Sequence, residues 1–170
     1  MREGFTLVEV LVVTLIIGIL AAFAVPQYRK SVETGKANDA VAMVNMIGTA
    51  NRMYALDHGG NYASGILFDP GVRDCNSPSF SGCPVGGTNL TDPCNLVSCK
   101  YLAATDFEKL SYDYWAMDPT ASSNCGATSG NFVACAANKA ESSPFNEWVY
   151  SVNSAGVIGG AGTDVPSPIQ

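Results

Sequence analysis

The sequence predicts an α+β protein in which one long N-terminal α-helix packs against a small antiparallel sheet. Three patterns support this prediction: an apolar run at the N-terminus, helical spacing of apolar residues after it, and alternating apolar and polar residues late in the chain. The chain has 170 residues, which suits one domain of roughly 100–150 residues with an appendage. We therefore expect a membrane segment followed by a globular head over residues 57–170.

The first element is an apolar helix over residues 5–25. This stretch has 21 residues and one charge, and as a helix it would rise about 31 Å, close to the bilayer core of about 30 Å. An ordinary single-pass anchor is one alternative. Another is a secretory signal peptide cut after Ala24, because AFA at 22–24 fits a cleavage site. The run is longer than the roughly 7–15 residues of a signal peptide and its start is barely basic, which favours a retained helix.

Glu9 sets this helix apart from a simple anchor. A carboxylate within a membrane helix costs about a few kcal/mol unless it has a partner, so such acids tend to be functional. The alternative is a carboxylate that reaches from the helix end to the membrane surface.

Three runs mark the N-terminal segment: GFTLVE at residues 4–9, IGILAA at 17–22 and VPQY at 25–28. Over about residues 1–56 the chain resembles type IV pilins and the related type II secretion pseudopilins. The resemblance implies that a prepilin peptidase cuts between Gly4 and Phe5, removes residues 1–4 as a leader, and methylates the new amine of Phe5.

The resemblance also implies residues for assembly. Glu9 of one subunit would pair with the Phe5 cation of a neighbour in a filament core of low dielectric, where opposite charges attract more strongly than in water. This pairing would fix the axial register of the subunit. The helix would be weakest from Gly18 to Pro26, and both residues are predicted to act in assembly.

Residues 26–56 form the second element, an amphipathic extension of the helix. Pro26 predicts either a helix boundary or a kink, because it lacks a backbone donor, and the resemblance favours a kinked continuous helix. Methionines at 43, 46 and 53 are expected to fill gaps in the core. The predicted buried stripe consists of Ala40, Met43, Val44, Ile47, Ala50 and Tyr54.

The head begins where DHGGN at residues 57–61 stops the helix, and a loop region rich in Gly, Pro, Ser and Asn follows to about residue 104. Alternation predicts strands at 110–115 and 148–152, and a short apolar run predicts another at 132–136. NSAG at 153–156 predicts a turn toward a further strand. We expect three or four antiparallel strands against the amphipathic helix.

The cysteines predict disulfides, because all six lie in the expected exported head. Six cysteines allow 15 connectivities, and pairing between sequence neighbours is the simplest hypothesis: Cys75 with Cys83, Cys94 with Cys99, and Cys125 with Cys135. A zinc site at Cys94 and Cys99 is disfavoured, because no second pair matches and the single histidine, His58, is distant in sequence.

Other chemistry has little support in the sequence. Catalytic motifs are absent and His58 is expected to be solvent-exposed, so we expect no enzyme, no resident metal and no cofactor. Calcium at Asp106, Glu108, Asp113 and Asp118 is a minor alternative, because these acids lack loop spacing. Removing Arg2, Glu3 and Glu9 from the 9 basic and 15 acidic residues leaves 8 against 13 for residues 25–170, so no specific nucleic-acid partner is expected.

The predicted function is a structural subunit of an extracellular type IV pilus. The expected partners are other copies of the chain, prepilin peptidase, the pilus assembly machinery of the cytoplasmic membrane, and membrane lipid before assembly. The precursor would cross the inner membrane once, and the assembled filament would stand at the cell surface. One alternative is a type II secretion pseudopilin, and another is a secreted disulfide-rich binding module or enzyme released after Ala24.

Overall fold

Helix α1 runs over Leu7–Asp57 and contains Pro26. The computed structural model describes residues 6–80, 82–84, 89–121, 123–125, 128–140 and 143–168. Of the two alternatives at Pro26, the structure has the continuous helix, which ends one residue after the predicted end. The chain divides into two compact units, residues 1–36 and residues 37–170, so the last part of α1 belongs to the second unit.

In the first unit, α1 presents apolar side chains to the surroundings. Every residue from 6 to 32 is exposed. Within the described residues, α1 supplies one stretch that is long and apolar enough to cross a membrane, and none of that stretch is buried. Hydrocarbon is the environment that such a surface favours.

A five-stranded antiparallel sheet forms the centre of the second unit. The strands of this unit are β1 Gly65–Ile66, β2 Phe68–Asp69, β3 Arg73–Asp74, β4 Tyr112–Ala116, β5 Ser123–Cys125, β6 Thr128–Gly130, β7 Phe132–Asn138, β8 Val149–Asn153 and β9 Ile158–Ala161. The strand order in the five-stranded sheet is β1-β4-β7-β8-β9. The two-residue edge strand β1, the hairpin β2–β3 and the hairpin β5–β6 are too short to show the alternation that predicts a strand.

The predicted stripe of α1 packs in the core of the second unit. Its members are buried except Met43, which is partly buried against the same core. Met46 and Met53 were expected in the core, and this prediction was wrong: they are 43% and 53% exposed. Both lie off the face that meets the sheet, where helical spacing places residues 46 and 53 beside exposed neighbours.

The disulfides pair Cys75 with Cys94, Cys83 with Cys99, and Cys125 with Cys135. Neighbour pairing is therefore confirmed for the last pair and wrong for the other four cysteines. The cause is helix α2, which spans Asn95–Ser98 with Cys94 and Cys99 as its caps. Residues five positions apart on a helix point about 140° apart. Cys94 is accordingly buried while Cys99 is half-buried, and each finds a different partner.

Candidate functional site

The start of α1 holds a capping box formed by Thr6 and Glu9. The Thr6 backbone N–H donates to Glu9 Oε2 at 2.8 Å, and the Thr6 hydroxyl donates to the same oxygen at 2.7 Å. The Glu9 backbone N–H lies 3.3 Å from Thr6 Oγ1. This arrangement was not predicted from the sequence, although Thr-x-x-Glu before an apolar run is the spacing that signals it.

The capping box gives Glu9 a defined position at the N-terminal end of the apolar helix. The first four N–H groups of a helix have no partner within the helix, and hydrocarbon offers them none. A carboxylate also interacts favourably with the positive end of the helix dipole. The predicted cleavage residues Gly4 and Phe5 lie outside the described residues.

The other predicted assembly residues lie farther along α1. Gly18 has no neighbouring atom within 4 Å of where a Cβ would stand, and Pro26 lies within the helix. At 1.5 Å per residue, Glu9 and Gly18 are about 14 Å apart along the axis, and Gly18 and Pro26 about 12 Å apart. The structure therefore does not bring the three residues together.

The exposed apolar surface of α1 surrounds these positions. An apolar surface of this extent marks contact with lipid or protein, so the arrangement is suited to association. Its large side chains, each at least 46% exposed, are Leu7, Val8, Val10, Leu11, Val12, Val13, Leu15, Ile16, Ile17, Ile19, Leu20, Phe23 and Val25.

Three of the four acids considered for calcium have local partners. Asp106 pairs with Lys109 at 2.6 Å, and the hydrogen bond from Lys109 lowers the pKa of the Asp106 carboxyl. Asp113 lies 3.2 Å from Lys139 Nζ. Asp118 Oδ1 accepts hydrogen bonds from the backbone N–H and the hydroxyl of Thr120. These contacts give Asp106, Asp113 and Asp118 local structural partners.

His58 is half-buried, so the expectation of a solvent-exposed histidine was wrong. Its ring stacks on Tyr54 with centroids 4.0 Å apart, and its Nε2 lies 4.0 Å from Cys83 Sγ. The sequence did not predict this contact, because His58 and Cys83 are far apart along the chain. In the structure, the loop that carries the Cys83–Cys99 disulfide lies beside the end of α1. Among the described residues, His58, Cys83 and Cys99 offer three metal-ligating atoms within 4.8 Å of one another.

The N-terminal end of the chain matches a known protein family, and the chain is similar to several known proteins. The family described as the prokaryotic N-terminal methylation motif matches residues 1–25. The chain is 31% identical to the type IV major fimbrial protein FimA of Dichelobacter nodosus over 98 residues, which are 54% of this chain and 63% of FimA. No solved structure matches the chain.

Two further relatives represent different systems. The type IV major pilin protein PilE1 of Neisseria gonorrhoeae is 32% identical over 74 residues, 41% of this chain and 45% of PilE1. The type II secretion system core protein G of Pseudomonas aeruginosa is 42% identical over 57 residues, 34% of this chain and 40% of that protein. The matches thus span less than two thirds of the length of each relative.

Proposed function

We propose that the protein is a structural subunit of an extracellular type IV pilus, because residues 1–25 match the N-terminal methylation motif and the chain is similar to type IV pilins and to a type II secretion core protein. The precursor crosses the inner membrane once through α1. Prepilin peptidase removes residues 1–4, the pilus machinery withdraws the helix from lipid, and the helices of many copies pack into a filament.

The observation that carries this proposal is the position of Glu9. The carboxylate lies near the start of the exposed apolar part of α1, residues 6–32, and within the residues that the methylation motif matches. Cleavage before Phe5 would create a cation close to that end. Glu9 would then exchange its bonds with Thr6 for an ion pair with the amine of a neighbouring subunit.

The energetic reason for this exchange is the low dielectric of packed apolar helices. A buried charge without a partner is strongly unfavourable, whereas a matched pair recovers much of the desolvation cost. A subunit at the wrong height would leave both charges unpaired. The pair thus supplies axial register, and the apolar surface supplies affinity.

A type II secretion pseudopilus is the second candidate, because core protein G of that system is similar over 57 residues. Both functions use the same cleavage and the same helix packing. They differ in whether the filament extends from the cell, and similarity to FimA over 98 residues favours the pilus.

Mass spectrometry of the protein from a host with prepilin peptidase tests the cleavage. We expect a chain that begins with methylated Phe5. A chain that begins at Val25 would instead identify a secreted protein and would overturn the proposal that the protein is a filament subunit.

Imaging of sheared surface filaments, with identification of their main subunit, tests the pilus itself. We expect this chain to be that subunit at native expression. Correct cleavage without surface filaments that contain the chain would favour the pseudopilus.

A further inference from the structure

The three disulfides differ in their exposure to solvent. Cys75, Cys94, Cys125 and Cys135 are each at most 3% exposed, whereas Cys83 is exposed and Cys99 is half-buried. A thiol in solution must reach a sulfur atom to open a disulfide. The Cys83–Cys99 bond is therefore the one that an external thiol reaches first.

His58 stands beside this accessible disulfide in a fixed orientation. Its Nδ1 lies 2.9 Å from the Tyr54 carbonyl oxygen, which only accepts hydrogen bonds, so Nδ1 carries the proton of the neutral ring. Nε2 then presents its lone pair, and it lies 4.0 Å from Cys83 Sγ. A backbone carbonyl that holds one ring nitrogen in this way is typical of metal-binding histidines.

The surroundings hold the His58 ring in place. The ring stacks on Tyr54, and the Tyr101 ring meets it edge-on with centroids 6.1 Å apart. Tyr54 is fully buried, and its hydroxyl donates to the Leu90 carbonyl at 2.8 Å. The imidazole is therefore preorganised before any ligand arrives.

We infer that opening of the Cys83–Cys99 disulfide creates a site for a thiophilic divalent cation, Zn²⁺ in particular, with His58 Nε2 and the two sulfur atoms as ligands. The three ligand atoms already lie within 4.8 Å of one another. Zn–S and Zn–N bonds of about 2.3 and 2.0 Å require ligand atoms about 3.5–3.8 Å apart in a tetrahedron. Small side-chain movements reach this spacing, and water takes the fourth position.

The chemistry balances with a dithiol as the reductant. Two successive thiolate attacks transfer two electrons to the Cys83–Cys99 bond, place a proton on each cysteine sulfur, and convert the dithiol into a disulfide. The cation then displaces both thiol protons into solvent. The disulfide and the metal are thus alternative closures of the same loop, and the redox state selects between them.

The test uses the full chain in detergent and Co²⁺ as the probe. Limited treatment with dithiothreitol, followed by alkylation and peptide mapping of a sample, should show Cys83 and Cys99 opened first. After removal of the reductant, Co²⁺ should produce sulfur-to-cobalt charge-transfer absorption at one ion per chain, and Zn²⁺ should abolish it. The untreated chain should show no such absorption.

Two variants isolate the ligands. His58→Phe keeps an aromatic ring on Tyr54 but removes Nε2, and it should weaken Co²⁺ binding at least tenfold. Cys83→Ser with Cys99→Ser keeps both buried disulfides and should abolish the absorption. Earlier opening of a buried disulfide, equal affinity in His58→Phe, or charge-transfer absorption in the double serine variant would each overturn the inference.

Discussion

Asn51 and Ala63 exchange two hydrogen bonds in the buried interior of the second unit. Asn51 Nδ2 donates to the Ala63 carbonyl at 3.0 Å, and the Ala63 N–H donates to Asn51 Oδ1 at 2.9 Å. The same Nδ2 lies 2.9 Å from the carbonyl oxygens of Met117 and Val133. One fully buried amide of α1 thus connects the helix to backbone before β1, after β4 and within β7.

Replacement of Asn51 by Leu should destabilise the protein by about 3 kcal/mol. The side chain has similar size, but it removes the Asn51 partner of the Ala63 N–H and of the Ala63 and Met117 carbonyls, at about 1–3 kcal/mol for each group left unsatisfied. Calorimetric unfolding of the full chain in detergent measures the loss. Asn45→Leu, at an exposed position of the same helix, should stay within about 0.5 kcal/mol of the parent, and equal losses in both variants would contradict the role of the buried amide.

Replacement of Gly48 by Ala should destabilise the protein by about 1–3 kcal/mol through overpacking. A Cβ there would collide with Val152 Cγ1 and come within 3.2 Å of Val133 Cγ2, and both valines are fully buried. The matched control is Gly35→Ala, where a Cβ would have no neighbour within 4 Å. The free energy of unfolding of Gly35→Ala should rise by about 0.5–1 kcal/mol, because Gly is unfavourable within helices. The same calorimetry should therefore show a loss of stability in Gly48→Ala and a gain in Gly35→Ala.

Replacement of Glu9 by Gln should abolish filament assembly while leaving cleavage and membrane insertion intact. Gln still accepts the capping hydrogen bonds, but it carries no charge to pair with the amine of Phe5. The yield of sheared filaments, compared with the membrane content of mature subunit, measures assembly.

Thr6→Val distinguishes the charge of Glu9 from its capping hydrogen bonds with Thr6 in this experiment. It removes the hydroxyl that donates to Glu9 and keeps the carboxylate, so we expect filament yield within about twofold of the parent. Normal assembly of Glu9→Gln together with failed assembly of Thr6→Val would show that Glu9 serves only as a helix cap.

Stability should fall as the pH rises above 10. Burial raises the pKa of Tyr150 to about 12, above an ordinary value of 10, and burial also raises the pKa of Tyr114, with the charges of Asp39 and Asp113 as lesser causes. Folding keeps these protons bound, so the stabilisation is fully present below pH 10 and is lost as the pH approaches 12.

Calorimetric melting temperatures between pH 9 and 12 measure this dependence. Tyr150→Phe removes one of the two groups, and its melting temperature should fall less steeply over that range. It also removes the hydrogen bond to the Pro166 carbonyl, so the comparison rests on the slope and not on the melting temperature at neutral pH. An unchanged slope in Tyr150→Phe would contradict the role of its phenol.

The fold could be predicted because its main elements follow simple periodicities. Apolar side chains recur along α1 at the spacing of one helical face, and Tyr112, Tyr114 and Ala116 alternate with half-buried neighbours along β4. The two-residue strand β1 has no such pattern. It forms because Gly65 and Ile66 pair with Ala116 and Trp115 of β4, a contact that depends on the tertiary fold.

The polar features were harder to predict. Asn51 lies on the buried face of α1, where an amide contradicts the apolar pattern until its backbone partners are known. The cysteine partners depended on α2, a helix of four residues that is too short for a periodic signal. At the N-terminus, the intersubunit role of Glu9 stays a prediction from the family resemblance, whereas its hydrogen bond to Thr6 became evident only with the structure.

The burial of Trp148 offers a selective optical signal. The chain has two tryptophans, Trp115 and Trp148, and both lie on or beside the sheet. Trp148 is fully buried, and its indole N–H donates to the Thr163 carbonyl. α1 contains no tryptophan, so indole emission will report loosening of the sheet while the apolar helix stays silent within a micelle or filament.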